Sequence, residues 1–259
     1  MSVEIEGRWS HEDHCSAFEA ELGRFAGVVE NADPAAKVPT CPGWTIAKLL
    51  KHVGITHRWA EHLVRHPVHE PLPTRDVPVT LPDDDTGYPG WLAAGGASLV
   101  RTLREADGDT PVWAWGIDQH VRFWSRRMLH EGTVHRADVE IALGREPAID
   151  SRVATDGVDE LLGNLSVATW VAASLKELGG DGEVLHFHAT DTADGEWMVT
   201  LGPEGFSARH GHGKGDVAVR GTASDLLLLL YGRLAPEGGR FEVFGDRELL
   251  GRWLEKTAL

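Results

Sequence analysis

Glu131 and His135 lie four residues apart in HEGTVHRAD (130–138), one turn apart if the segment is helical. Trp124, Met128, Asp138 and Ala142 continue the spacing on both sides, so the whole set falls on one stripe of a helix. The stripe begins and ends apolar, which turns it toward a core, and a carboxylate facing a core needs a partner. A second periodic run, Ile46, Leu49, Val53, Ala60 and Leu63, places His52 beside its apolar face. His52, Glu131 and His135 can therefore converge. Two imidazoles and one carboxylate with a fourth position open is a donor set used by catalytic zinc, and other divalent transition metals accept it. The same residues have a plainer reading. Glu–His pairs at this spacing are common on exposed helices, and a histidine at an apolar edge is often a hydrogen-bonded core residue. Spacing alone leaves both open. Asp138 fits an acceptor that fixes a ligand histidine's tautomer, or equally a partner of Arg136 or of solvent.

Other polar residues carry less. Arg126, Arg127 and Arg136 are expected as surface or rim charges. His130 points about 100° away from Glu131 around the helix and is not expected as a ligand. His186 and His188 alternate along one strand; they form a ligand pair without a third member and are expected on a solvated face. His57, His62, His66 and His69 follow no ligand spacing.

The elements that must position these residues can be read from periodicity and punctuation. Helices are predicted over 9–31, 45–66, 88–107 and 121–143, the second capped by Thr45 and stopped by Pro67, the fourth ended by Gly144. Gly95 and Gly96 weaken the third helix or mark a close crossing. Four helices of this length predict a bundle. After about residue 150 the pattern changes. One long helix over 153–178 is followed by short alternating runs at 183–190, 196–202, 205–211 and 216–221, which read as an antiparallel meander. ASDLLLLLYGR (223–233) reads as a buried helix capped by Ser224 or Asp225, and a last strand (241–246) and helix (247–256) complete the chain. The expected fold class is α+β in two domains, a four-helix bundle over 1–148 and an α+β domain with an antiparallel sheet over 149–259.

Composition excludes some functions. The chain of 259 residues is 42% apolar with ten Trp, enough for a substantial core. Forty acidic against 25 basic residues give a net charge of −15, which argues against nucleic-acid binding. The polar start MSVEIEGRWSHEDHC has no apolar h-region, so no signal peptide is expected, and no window approaches the length of a membrane span. Two cysteines, Cys15 and Cys41, make no disulfide framework, and a cytoplasmic location is the simplest expectation.

VPTCPGWTIAKLLKHVG (38–54), HEGTVHRADVEIALG (130–144) and ASDLLLLLYGR (223–233) together resemble, in order, the signature regions of the mycothiol-dependent maleylpyruvate isomerase family. The resemblance implies an N-terminal DinB-like metal-binding bundle joined to a C-terminal domain similar to sterol carrier proteins. It implies that His52, Glu131 and His135 hold a divalent metal, usually zinc, and that mycothiol serves as thiol cofactor or co-substrate. Trp44, in the CPGWT motif, is then a candidate to line the cofactor pocket, and Cys41 is a nucleophile or a small buried thiol. The family isomerase is thought to use a C-terminal arginine, for which Arg233 and Arg220 are the candidates. The implied chemistry is a metal-activated thiolate adding to a small electrophile, as a transferase or a cis–trans isomerase. A metal-dependent hydrolase using a metal-activated water and a non-enzymatic small-ligand-binding protein are the alternatives. Either a monomer or a homodimer is compatible with the sequence.

Overall fold

The computed structural model describes residues 3–4 and 9–257. The chain divides into two compact units, Trp9–Ala148 and a second from Ile149 onward, to which the strand β1 (Val3–Glu4) also belongs. Among the described residues, no helix is long and apolar enough to cross a membrane.

The first unit is a four-helix bundle of α1 (His11–Val29), α2 (Ile46–Arg65), α3 (Tyr88–Glu105) and α4 (Val121–Ala142). Ser10 and Asp13 form a reciprocal capping box at the start of α1. Thr45 caps α2 as expected, its hydroxyl accepting from the Lys48 amide. Gly95 and Gly96 do mark a close crossing. A side chain at either would collide with Arg58 of α2 or Leu22 of α1. Helix α4 is the central element and is buried almost all round, not along one stripe. Trp124, Met128 and Asp138 of the stripe are buried, but so are Arg127, His130, Thr133 and Arg136 on other faces.

That burial overturns the expectation of Arg127 and Arg136 as surface charges. The Arg136 guanidinium pairs with Glu21 of α1 and with Glu140 one turn on, and reaches the Ala148 carbonyl. Neutralising a buried arginine from two sides offsets the cost of taking it out of water.

The second unit carries a six-stranded sheet in the order β1–β4–β3–β2–β5–β6, with β2 (Val184–Ala189), β3 (Glu196–Gly202), β4 (Gly205–His210), β5 (Val217–Gly221) and β6 (Glu242–Gly245). The sheet is mixed, which corrects the antiparallel reading. β2, β3 and β4 form the expected meander, but β5 lies parallel to β2 on its far side, and β1 lies parallel to β4. Alternation within a run identifies a strand and its faces; it carries no information on which neighbour the strand chooses. One face is apolar, with Leu185, Phe187, Trp197, Val199, Val217 and Val219 buried. Phe206 of β4 meets Trp253 of α8 (Arg247–Thr257) edge to face.

The single helix expected over 153–178 is two, α5 (Ser151–Leu165) and α6 (Ala172–Leu178), separated by a turn rich in β-branched residues. The leucine-rich α7 (Ala223–Leu230) is buried as expected, but Thr222 is its cap, accepting from the Asp225 amide, not Ser224 or Asp225.

Candidate metal centre

Three elements of the bundle build the site. The segment VPTCPGW (38–44) closes on itself through hydrogen bonds from the Val38 amide to the Trp44 carbonyl, from Cys41 to Val38 and from Trp44 to Cys41. Gly43 makes the turn at a φ of 82°, a value that suits glycine. The loop thereby fixes Trp44 and Cys41 just before α2, which carries His52. Helix α4 supplies Glu131, His135 and Asp138.

His52, Glu131 and His135 converge, each offering one ligand atom within 4.8 Å of the others. His52 Nε2 lies 3.0 Å from Glu131 Oε1, and His135 Nε2 lies 3.4 Å from the same oxygen. The Glu131 and His135 side chains are 18% and 11% exposed, whereas His52 is 42% exposed, so the site is closed from α4 and open beside α2. Behind it, His135 Nδ1 hydrogen-bonds Asp138 Oδ2 at 2.9 Å. Asp138 is completely buried and also accepts from the Thr40 hydroxyl at 2.6 Å and the Cys41 thiol at 3.5 Å. Anchored this way, His135 donates from Nδ1 and keeps Nε2 directed at Glu131. Of the roles open to Asp138 in the sequence, the structure realises the acceptor to histidine.

Cys41, His135 and Asp138 also lie within ligand distance of one another, through the other ring nitrogen of His135. Asp138 already accepts from three donors there, the arrangement of a hydrogen-bond anchor.

The electrostatics follow from burial and proximity. Burial pushes the Glu131 carboxyl upward, but the His135 and His52 imidazoles and the Arg127 guanidinium outweigh it and hold the group well below the usual carboxylate range. Burial alone would lower His135; Glu131 and the Asp138 hydrogen bond reverse that and raise it well above an ordinary imidazole. The site is thus built around anionic carboxylates that favour positive charge, a proton or a cation. The donor types, their convergence and the oriented imidazole fit a divalent ion of the zinc class.

Trp44 packs against both imidazoles, its ring 5.0 Å from that of His52 and stacked at 6.3 Å on that of His135. Arg220 and Arg233 belong to the second unit. Arg220 is ion-paired with Glu242 across β5 and β6, and Arg233 donates to the Tyr231 carbonyl just past α7. An open cleft of about 750 Å³ lies elsewhere on the bundle, lined by Arg58, Glu61, His62, Arg65 and Trp91 among others; none of the three converging residues lines it. Thr40 is the site residue the sequence did not reveal. Its only signal was membership of the loop that carries Cys41 and Trp44.

Residues 15–140 match the mycothiol maleylpyruvate isomerase N-terminal domain, and residues 152–252 match the C-terminal domain of the same family. The chain belongs to the mycothiol maleylpyruvate isomerase family. The fold agrees with that membership. The crystal structure of the mycothiol-dependent maleylpyruvate isomerase superposes with a TM-score of 0.56 at 14% identity, covering 91% of this chain and 93% of that one. A histidine-to-alanine mutant of that isomerase gives 0.58 at 14% identity, covering 87% and 90%. No curated protein matches by sequence alone. At this identity the superpositions establish a shared fold, and membership of the maleylpyruvate isomerase family rests on the two domain matches.

Proposed function

We propose that the chain is a metal-dependent enzyme that uses mycothiol to act on a small electrophile, by cis–trans isomerisation or thiol transfer. The observation that carries this reading is the convergence of His52, Glu131 and His135 in a bundle of this family, with His135 oriented by a buried Asp138. These three residues would hold a divalent ion, zinc by preference. Such an ion supplies Lewis-acid activation of a thiol at neutral pH.

The chain's own residues do the rest. Glu131 brings the negative charge that favours a cation. Asp138 keeps the His135 Nε2 lone pair aimed into the site. Trp44 forms an apolar wall against both rings. The exposed edge of His52 leaves the approach on which a thiol and its partner would enter. A negatively charged substrate would need a cation. Arg220, engaged by Glu242, and Arg233, engaged by the Tyr231 carbonyl, are the two candidates. The bundle is proposed as the metal-binding domain, and the free cysteines suit a reducing, cytoplasmic setting. The acidic chain shows no conspicuous basic cluster near these motifs, so the substrate is proposed as an electrophile other than maleylpyruvate itself.

The test is metal analysis followed by mycothiol assays. Wild-type protein should lose about one equivalent of zinc on His52→Ala or His135→Ala, and with it all turnover of a panel of electrophiles with mycothiol. Equal metal content in wild type and both variants would sink the assignment. Metal that is present but insensitive to mycothiol would favour hydrolysis over thiol chemistry.

A further inference from the structure

The sheet of the second unit has a polar face opposite its apolar one. In an antiparallel pair, directly opposed residues share a face. His186 opposes Met198 and His188 opposes Glu196, so two histidines and a carboxylate project on the same side. The sequence supplied that pair without a further member. The chain path supplies one. β5 joins the sheet beyond β2, so the segment HGHGKGD (210–216) must return from the end of β4 across β3 and β2. It leaves with the Gly211 amide on the Glu196 carbonyl and arrives with the Asp216 amide on the Val184 carbonyl. Glycine lets it lie flat: a β-carbon at Gly213 would stand 3.0 Å from the Met198 terminal methyl. This strap sets His212 over the other three residues.

The four side chains present ligand atoms that all lie within 4.8 Å of one another. Glu196 Oε2 is 3.0 Å from His186 Nε2 and 2.7 Å from His212 Nδ1, and Oε1 is 3.5 Å from His188 Nδ1. Donors around a four-coordinate zinc stand ~3.3 Å apart, so small side-chain rotations suffice to close the set. The rings lie edge to face at 5.4–6.4 Å. Without a cation, three imidazoles gather on the two oxygens of one carboxylate. With one, every donor is used.

We propose that His186, His188, Glu196 and His212 form a second divalent-metal site, of the zinc class, that clamps the glycine-rich strap to the sheet. Four protein donors leave no open position, which makes the site structural. It is independent of the bundle site and of the activity proposed for it.

The experiment uses the full chain with the bundle site disabled by His52→Ala and Glu131→Gln, dialysed against zinc and, separately, cobalt(II). The expected result is about one zinc per chain, the visible absorption of four-coordinate cobalt, and a rise in Tm on adding zinc. Adding His188→Ala and His212→Ala should abolish all three. His212→Ala alone, at an exposed strap position, should leave the circular dichroism unchanged and weaken zinc binding at least about tenfold. A bundle-disabled chain that binds no zinc, or a His212→Ala chain that binds it undiminished, overturns the proposal. In that case the cluster is an ion-pair network around Glu196.

Discussion

Asp138 contributes most to the candidate centre without being one of the three converging donors. It sits beneath His135, fully buried, and turns three hydrogen-bond donors toward itself. An Asp138→Asn protein keeps the shape but loses the negative charge and half the acceptor capacity. It should still fold, with zinc affinity at the His52–Glu131–His135 site down by about 10–100-fold, read by competition with a chromophoric chelator. Unchanged affinity would show that packing alone orients the histidine. Spacing identified the three converging residues because Glu131 and His135 share a helix face, and it offered Asp138 a role. It could not choose among the partners of Asp138. Thr40 and Cys41 lie about a hundred residues away in sequence, and only the folded loop brings them to the carboxylate.

At the scale of elements, α4 is held by the pairing of Arg136 with Glu21 on α1 and Glu140 one turn on. Arg136→Met keeps the length of the side chain but leaves Glu21, only 2% exposed, with the half-exposed Arg24 as its remaining ion-pair partner. A loss of about 3 kcal/mol in urea unfolding is expected, at the low end for breaking a buried pair because Arg24 remains beside Glu21, and Glu21→Leu in the same chain should largely restore it. Arg136 was expected at a rim because charge alone suggests solvent. The reason it is inside is that α4 is surrounded on every side, which weakens the one-sided hydrophobic pattern that marks a surface helix. In the second unit, strand positions were legible from alternation and their pairing was not. β5 crosses to the far side of β2, and that crossing, invisible in the run of residues itself, carries His212 over the sheet.

For the whole molecule, stability should depend on pH through His57. The residue is completely buried on α2, meets Phe18 edge to face, and among the described residues neither ring nitrogen has a hydrogen-bond partner. Burial lowers its pKa from 6.5 to about 4. Between those values the unfolded chain binds a proton that the folded one refuses. Stability should therefore fall as pH drops through this window, with a slope of up to ~1.4 kcal/mol per pH unit from this residue, and this contribution should level off below pH 4. His57→Leu removes the titration and two unsatisfied nitrogens. It should flatten that part of the profile and hold or raise stability at neutral pH, measured by denaturant unfolding at several pH values. An unaltered pH profile would assign the acid sensitivity to other groups.

The sequence by itself determined the bundle, the strands from residue 183 onward and the three residues that meet in the bundle, because helical and strand periods are local and fix which side chains share a face; the short β1 had no such period to show. The family resemblance carried by its three motifs agreed with the same residues. Tertiary structure alone decided what those periods cannot encode: which strand pairs with which, which charges are enclosed by a central helix, and which distant loops deliver Thr40 to Asp138 and His212 to His186, His188 and Glu196. Each of these is a contact between segments far apart in the chain, set by how the elements pack and cross.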